Sequence, residues 1–140
     1  MEIKTNLDYI KKALLALHKS IDLYDKCEET CDEDVRLAFR DSMIQRFEIS
    51  IDLLWKTLKN YLENIEKISL SVYSPKSIIR DAAKSKFISE KESQELIKMI
   101  DSRNQTSHIY HEEIADQISK EIPEYYDLMQ SLIKRMESKI

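Results

Sequence analysis

The chain has 140 residues and contains no glycine at all. Glycine adopts positive φ more readily than any other residue, so a turn that needs this conformation would have to use asparagine, aspartate or lysine instead. Tight β-hairpins depend on such positions and are therefore disfavoured. The only two prolines, Pro75 and Pro123, leave long stretches without a helix breaker. The sequence therefore predicts an all-α protein with long helices.

The composition is that of a globular protein, with 42% hydrophobic and 34% charged residues, and the length fits a single domain over residues 1–140. The net charge of −4 argues against a surface that attracts nucleic acid over its whole extent. No apolar run approaches the roughly 20 residues of a membrane-spanning helix, and the first residues lack the pattern of a signal peptide. We therefore expect a cytoplasmic protein without membrane contact.

Apolar residues spaced three and four positions apart predict two long helices at the start of the chain. The first begins after Thr5 or Asn6, which are good N-caps. The second extends from about Asp32 to Lys67 without a helix breaker. The expected buried stripes consist of Leu7, Ile10, Leu14, Leu17, Ile21 and Tyr24 in the first helix, and of Phe39, Met43, Phe47, Leu54, Leu58, Leu62 and Ile65 in the second.

Residues typical of helix N-termini predict where the third and fourth helices begin. Ser74 and Pro75 combine an N-cap with a proline in the first helical position, and Ser89-Glu-Lys-Glu92 has the spacing of a capping box. The last helix is expected to begin near Tyr110 to Glu113, and Pro123 should kink it or split it near Ile122. The predicted architecture is an up-and-down bundle of four main helices with one short additional helix.

Cys27 and Cys31 lie four residues apart among acidic residues. A metal site would need more ligands, and the only histidine upstream of them is His18. We therefore expect two reduced thiols at the surface and no bound metal or other cofactor.

The polar segment from Asp101 to Tyr110 lies between the fourth helix and the last and is the candidate functional site. Arginine presents a fixed fork of donors to phosphate oxygens, and histidine transfers protons near neutral pH. On a continuous helix Arg103 and His108 would lie about 140° apart, whereas a helix end followed by a turn could bring them to one point. The alternative is structural, with Asp101, Arg103 and Asn104 capping the helix and His108 serving only in packing.

Two further places on the second helix allow both a functional and a structural interpretation. Gln45, Arg46 and Glu48 flank the core residue Phe47 and could line a cleft near the motif, bridge a dimer or form ordinary surface ion pairs. Trp55 could be a stacking platform for a base, although its position beside Leu54 favours core packing.

The motif Arg103-Asn-Gln-Thr-Ser-His108-Ile-Tyr110 resembles the Arg-x4-His-x-Tyr signature of the HEPN superfamily, and more closely the nucleotidyltransferase substrate-binding proteins. Two further blocks agree in order, Asp41 to Lys59 and Ser74 to Ala82. The resemblance implies a helical-bundle homodimer whose partner is a minimal nucleotidyltransferase encoded as a separate chain.

The same resemblance implies a toxin–antitoxin type of module in which this chain is a metal-independent endoribonuclease. Arg103 and His108 would be catalytic, Asp101 and Asn104 supporting, and Tyr110 the residue that the partner adenylylates. The ligand would be RNA or a nucleotide. The alternative is a non-catalytic substrate-binding subunit of the nucleotidyltransferase.

Overall fold

The structure is a computed structural model that describes all 140 residues. Its helices are α1 (Ile3–Cys27), α2 (Glu33–Asn64), α3 (Pro75–Lys84), α4 (Glu90–Gln105) and α5 (Glu112–Ser138), with a 3-10 turn at Thr106–His108. The predicted all-α bundle is confirmed, and α3 is its short additional helix. None of the helices combines the length and apolar character that crossing a membrane requires.

Helix α2 occupies the centre of the bundle and packs against α1, α3, α4 and α5. Its apolar stripe, with Phe47, Leu54 and Leu58 fully buried, belongs to one cluster of 30 buried residues drawn from every helix. Burial of this stripe is the main source of stability, because apolar area removed from water is the dominant favourable contribution to folding. The flanks of α2 remain accessible and carry polar residues.

Lysine takes the place of glycine where helices end. The structure has positive φ at Lys67 (58°) and Lys86 (66°), just beyond α2 and α3. After Lys67 the Ile68 amide donates to the Leu62 carbonyl at 2.9 Å, which closes the end of α2. The expectation that left-handed positions would fall on asparagine, aspartate or lysine is confirmed, at a cost of about 1 kcal/mol for each residue.

Side-chain caps begin α2, α3 and α4. Asp32 accepts from the Val35 amide and Ser74 from the Ser77 amide, and the capping box of Ser89 and Glu92 is present in both directions. These starts agree with the sequence signals.

The first helix differs from its prediction. It begins at Ile3, ahead of Thr5 and Asn6, and its N-cap residue Glu2 makes no side-chain cap. Neither expected N-cap is therefore used in that role.

The last helix runs without interruption through Pro123. Of the two outcomes expected there, a kink or a split, the split is therefore wrong. Ile118, Ile122 and Tyr125 are buried on both sides of the proline. Their packing on the core holds the two halves of α5 in one helix despite the missing backbone hydrogen bond.

The expectation of two reduced surface thiols is also wrong. Cys27 and Cys31 form a disulfide at the turn between α1 and α2, with their Cα atoms 4.9 Å apart. Cys27 is the last residue of α1 and is buried, two helical turns after the buried Ser20 on the same face. The chain then turns back and brings Cys31 against it.

A buried arginine ties α2 to the start of α5. Arg40 is only 2% exposed, and its Nη1 donates to Glu112 Oε2 at 2.6 Å and to Asp116 Oδ1 at 3.3 Å. The hydrogen bond from Arg40 holds the pKa of Glu112 below its usual range. Because Glu112 directly follows the polar segment, this contact fixes where that segment ends.

A second ion pair fixes the start of α4. Arg135 donates to both carboxylate oxygens of Glu92, at 3.0 and 2.7 Å, and to the Phe87 carbonyl at 2.8 Å. The helix that carries Arg103 at its far end is therefore anchored to α5 at its near end.

The Glu92 contact predicts a pH dependence of stability. Hydrogen bonds from Arg135 lower the pKa of Glu92 against the opposing effect of burial. A carboxyl with a lower pKa in the folded state stabilises the fold above its unfolded pKa of about 4.3, and this contribution disappears as the pH falls through the folded pKa. We expect Glu92→Gln to lower the free energy of unfolding at neutral pH by about 1–2 kcal/mol and to flatten its decline in acid, measured by urea unfolding at a series of pH values. Glu95→Gln, at an exposed position of the same helix, is the control, and equal acid slopes for the parent and Glu92→Gln would contradict the assignment.

Candidate functional site

The polar segment is a helix end followed by a turn. Helix α4 ends at Gln105, the 3-10 turn spans Thr106–His108, and α5 begins at Glu112. The Thr106 hydroxyl donates to the Arg103 carbonyl at 2.7 Å, and the His111 amide donates to the His108 carbonyl at 3.0 Å. Of the two geometries considered from the sequence, the structure adopts the one in which the helix stops before His108.

Arg103 points from the last turn of α4 toward α2. Its Nε and Nη2 each lie 3.1 Å from an oxygen of Asp52, its Nη1 lies 3.4 Å from Glu48 Oε2, and Nη1 also donates to the Thr106 hydroxyl at 3.2 Å. The side chain is 32% exposed, so part of it still faces solvent. The bidentate pair with Asp52 and the nearby Glu48 together offset its charge.

The carboxylates around Arg103 affect both its charge and its availability to a phosphate ligand. The hydrogen bonds to Asp52 raise the pKa of Arg103, and this effect exceeds the opposing effect of burial. A permanently charged arginine is suited to phosphate binding. An incoming phosphate would contact the exposed part of Arg103 or replace Asp52. Its affinity would therefore be set by competition with the Asp52 carboxylate.

His108, Tyr110 and His111 form the exposed end of the segment. His108 Nδ1 lies 3.3 Å from the Tyr110 hydroxyl, and the rings of Tyr110 and His111 are 4.4 Å apart. Tyr110 is 72% exposed, second only to Met1 among the large hydrophobic residues. The phenol is therefore open to a second protein and adjacent to a group that can accept its proton.

Arg103 and His108 do not contact each other through a hydrogen bond in one chain. The arginine is engaged by α2, and the histidine bonds to Tyr110.

The two supporting residues have different surroundings. Asp101 Oδ1 lies 2.6 Å from Lys76 Nζ on α3, which ties α3 to α4. Asn104 is exposed and lines an open cleft of about 380 Å³ together with Arg103, Trp55 and Lys56. Asn104 is therefore accessible to a ligand beside Arg103, whereas Asp101 already has a partner.

Of the three residues around Phe47, only Glu48 reaches the motif, through Arg103. Arg46 Nη1 donates to the Ala16 carbonyl at 2.9 Å and so braces α2 against α1. Gln45 is exposed and makes no side-chain hydrogen bond. Glu48 therefore contacts the motif directly, whereas Arg46 serves the packing of α2 on α1.

A polar network supports the motif from behind. The Ser102 hydroxyl donates to Glu121 Oε2 at 3.0 Å and lies 2.9 Å from the Tyr125 hydroxyl. Burial opposes ionisation of Glu121, but hydrogen bonds from Tyr125, Gln117 and Ser102 outweigh it and lower the pKa of this carboxyl. These bonds hold α4 to α5 next to Arg103 and leave no buried polar side-chain atom unpaired.

The sequence analysis did not identify Asp52 as the partner of Arg103, and it favoured a core position for Trp55 over one that lines a cleft. Asp52 lies one turn after Glu48 on α2, and two acids at this spacing beside an apolar stripe are a usable signal for a cation partner. Trp55 is only partly buried and lines the cleft beside Arg103, although its position beside Leu54 favoured the core. No group of three or more His, Cys, Asp or Glu side chains is placed to hold a metal ion, and the cations at this cleft are Arg103 and Lys56.

Comparison with known proteins places the whole chain in a family. The structure resembles the crystal structure of a protein from Thermus thermophilus with 30% sequence identity and a TM-score of 0.69, over 86% of this chain and 98% of that one. No curated protein matches the sequence significantly. A family model described as "Nucleotidyltransferase substrate binding protein like" matches residues 5–138, nearly the whole chain. The chain therefore belongs to the nucleotidyltransferase substrate binding protein like family.

Proposed function

We propose that this chain is the substrate-binding subunit of a two-component cytoplasmic module, in which a minimal nucleotidyltransferase is a separate chain. Family membership supports the pairing with a nucleotidyltransferase. The observation that carries the binding role is the position of Arg103, held by Asp52 at the edge of an open cleft. A nucleotide or RNA ligand would be oriented there by its phosphate.

Binding fits this geometry better than catalysis. Cleavage of RNA requires a base, an acid and a cation that act on one phosphate. Here the charge of Arg103 is offset by two carboxylates, and His108 is bonded to Tyr110 instead of to Arg103. In one chain, the partners of Arg103 are thus two carboxylates and the Thr106 hydroxyl, and no hydrogen bond joins it to His108.

A second candidate is the metal-independent endoribonuclease toxin of a toxin–antitoxin module, and the Tyr110 hydroxyl is the observation in its favour. This group is exposed and 3.3 Å from His108 Nδ1, so a partner enzyme could adenylylate it. The added phosphodiester would place bulk and negative charge beside His108 and repel RNA. A homodimer would supply the second Arg103–His108 pair that cleavage needs.

Co-expression with the proposed nucleotidyltransferase partner separates the two candidates. For a substrate-binding subunit we expect a stable complex, an unmodified Tyr110 by intact mass, and no slowing of growth when this chain is expressed alone. A mass gain equal to AMP that disappears in Tyr110→Phe, together with toxicity relieved by Arg103→Ala and His108→Ala, would favour the toxin. Failure to form any complex would contradict both.

The Asp52–Arg103 pair predicts that a single substitution can tighten ligand binding. Asp52→Asn keeps the shape of the side chain and removes the charge that competes with phosphate for Arg103. We expect affinity for ATP, measured by isothermal titration calorimetry, to rise by about three- to tenfold, and Arg103→Met to reduce it. Asp41→Asn is the matched control, since Asp41 pairs with Arg40 elsewhere on α2. An unchanged affinity in both Asp52→Asn and Arg103→Met would exclude Arg103 from the binding site.

A further inference from the structure

Two open clefts lie side by side along α2 and share the side chains of Trp55 and Lys56. The first, of about 380 Å³, leads to Arg103 and Asn104. The second, of about 430 Å³, leads the other way to Lys59 and Tyr73. Because they have two lining residues in common, they form one continuous surface, which we call the Trp55 groove. Each half falls within the size range of small-molecule sites, about 300–1,000 Å³.

The groove combines aromatic faces with cations. Trp55 is partly buried and Tyr73 is 57% exposed. Lys56 Nζ lies 5.9 Å from the centre of the Trp55 ring system, and Lys59 Nζ lies 4.2 Å from the centre of the Tyr73 ring. This alternation of ring and cation is the pattern by which proteins hold single-stranded nucleic acids, with bases on the rings and phosphates on the cations.

The charge of the groove also departs from that of the molecule. Its lining carries Lys56, Lys59 and Arg103 against two acids, Asp52 and Glu63, whereas the whole chain has a net charge of −4. Lys56 is exposed and makes no ion pair, so it is available to a ligand. Lys59 is only loosely held, 3.6 Å from Glu63 Oε1. The lining therefore carries one more positive than negative side chain, and Lys56 is its cation without a carboxylate partner.

The way in which Trp55 is held suits a stacking role. The side chain packs partly against the core, which limits its mobility, yet part of it faces both clefts. A ring that is already ordered loses little entropy when a base stacks on it.

We propose that the Trp55 groove binds a nucleotide moiety, with the base stacked on Trp55 and the phosphates held by Lys56 and Lys59, and with Arg103 at its far end. The inference rests on the proposed substrate-binding role and adds to it a site for the base on α2, which adjoins the Arg103–Tyr110 segment. The nucleotide could arrive free or within an RNA strand, and the groove would recognise the same base and phosphate in either case.

Trp55 is the only tryptophan in the chain, so intrinsic fluorescence reports directly on the groove. The full-length chain is titrated with ATP, with a short single-stranded oligoadenylate and with inorganic triphosphate. We expect saturable quenching by the first two and none by triphosphate, which lacks a base. Equal affinities for ATP and oligoadenylate would identify a free nucleotide as the ligand. If oligoadenylate binds at least about tenfold more tightly than ATP, with a steep salt dependence, the ligand is RNA. No saturable quenching by ATP or oligoadenylate overturns the proposal.

Substitutions test the same site without relying on Trp55 fluorescence. By calorimetry we expect Trp55→Ala to weaken binding about tenfold and Trp55→Phe, which retains a ring, to stay within about threefold of the parent. Lys56→Glu should weaken binding, whereas Lys134→Glu, the same charge change at an exposed position of α5 outside the groove, should not. Equal effects of Lys56→Glu and Lys134→Glu would overturn the proposal.

Co-purification of these variants with the nucleotidyltransferase separates this inference from the proposed function. If Trp55→Ala and Lys56→Glu lose the partner but bind ATP and oligoadenylate as the parent does, the groove is a protein-docking surface. The nucleotide site would then be wrong, and the pairing with a nucleotidyltransferase would stand. If the parent shows the predicted quenching but no nucleotidyltransferase co-purifies, the groove is correct and the proposed module is not.

Discussion

The structure depends on one constraint, that the 32 residues of α2 serve both the core and the site. The stripe through Phe47, Leu54 and Leu58 is buried by the other helices. The flank beside it carries Glu48, Asp52, Trp55 and Lys56, and the first two of these hold Arg103. Because these residues share one rigid helix, the carboxylates that orient Arg103 and the ring that borders its cleft keep a fixed spacing. Packing of the core therefore also sets the geometry of the site.

Electrostatics distinguishes the two sides of the motif. Arg103 is partly buried and matched by carboxylates, which keeps it charged and directed. His108 and Tyr110 are exposed and bonded to each other. The first arrangement suits recognition of an anion with affinity limited by competition from Asp52, and the second suits contact with another protein. In the proposed module, Arg103 therefore borders the ligand groove, and His108 and Tyr110 lie on the turn that faces the partner.

The sequence predicted what depends on local chemistry. The capping boundaries at Ser74 and Ser89, the apolar stripe of α2 and the use of lysine at left-handed positions all follow from neighbouring residues. The continuity of α5 through Pro123 and the disulfide of Cys27 could not be predicted, because tertiary packing decides the first and the path of a turn decides the second. Likewise, the motif located Arg103, but its partner Asp52 lies 51 residues away in sequence and is brought near only by the packing of α4 on α2.

The proposed function, extended by the Trp55 groove, makes this chain a subunit that binds RNA or a nucleotide on a surface bordered by Trp55 and Arg103 and does not cut it. Nuclear magnetic resonance of the full-length chain tests this directly, since the single indole N–H of Trp55 gives one signal and the Arg103 Nε–H can be assigned by substitution. We expect both signals to shift together as ATP is added, with the same dissociation constant, and RNA added to the protein to stay intact. Shifts confined to Arg103 and His108 with Trp55 unmoved, or cleavage of the RNA, would contradict it.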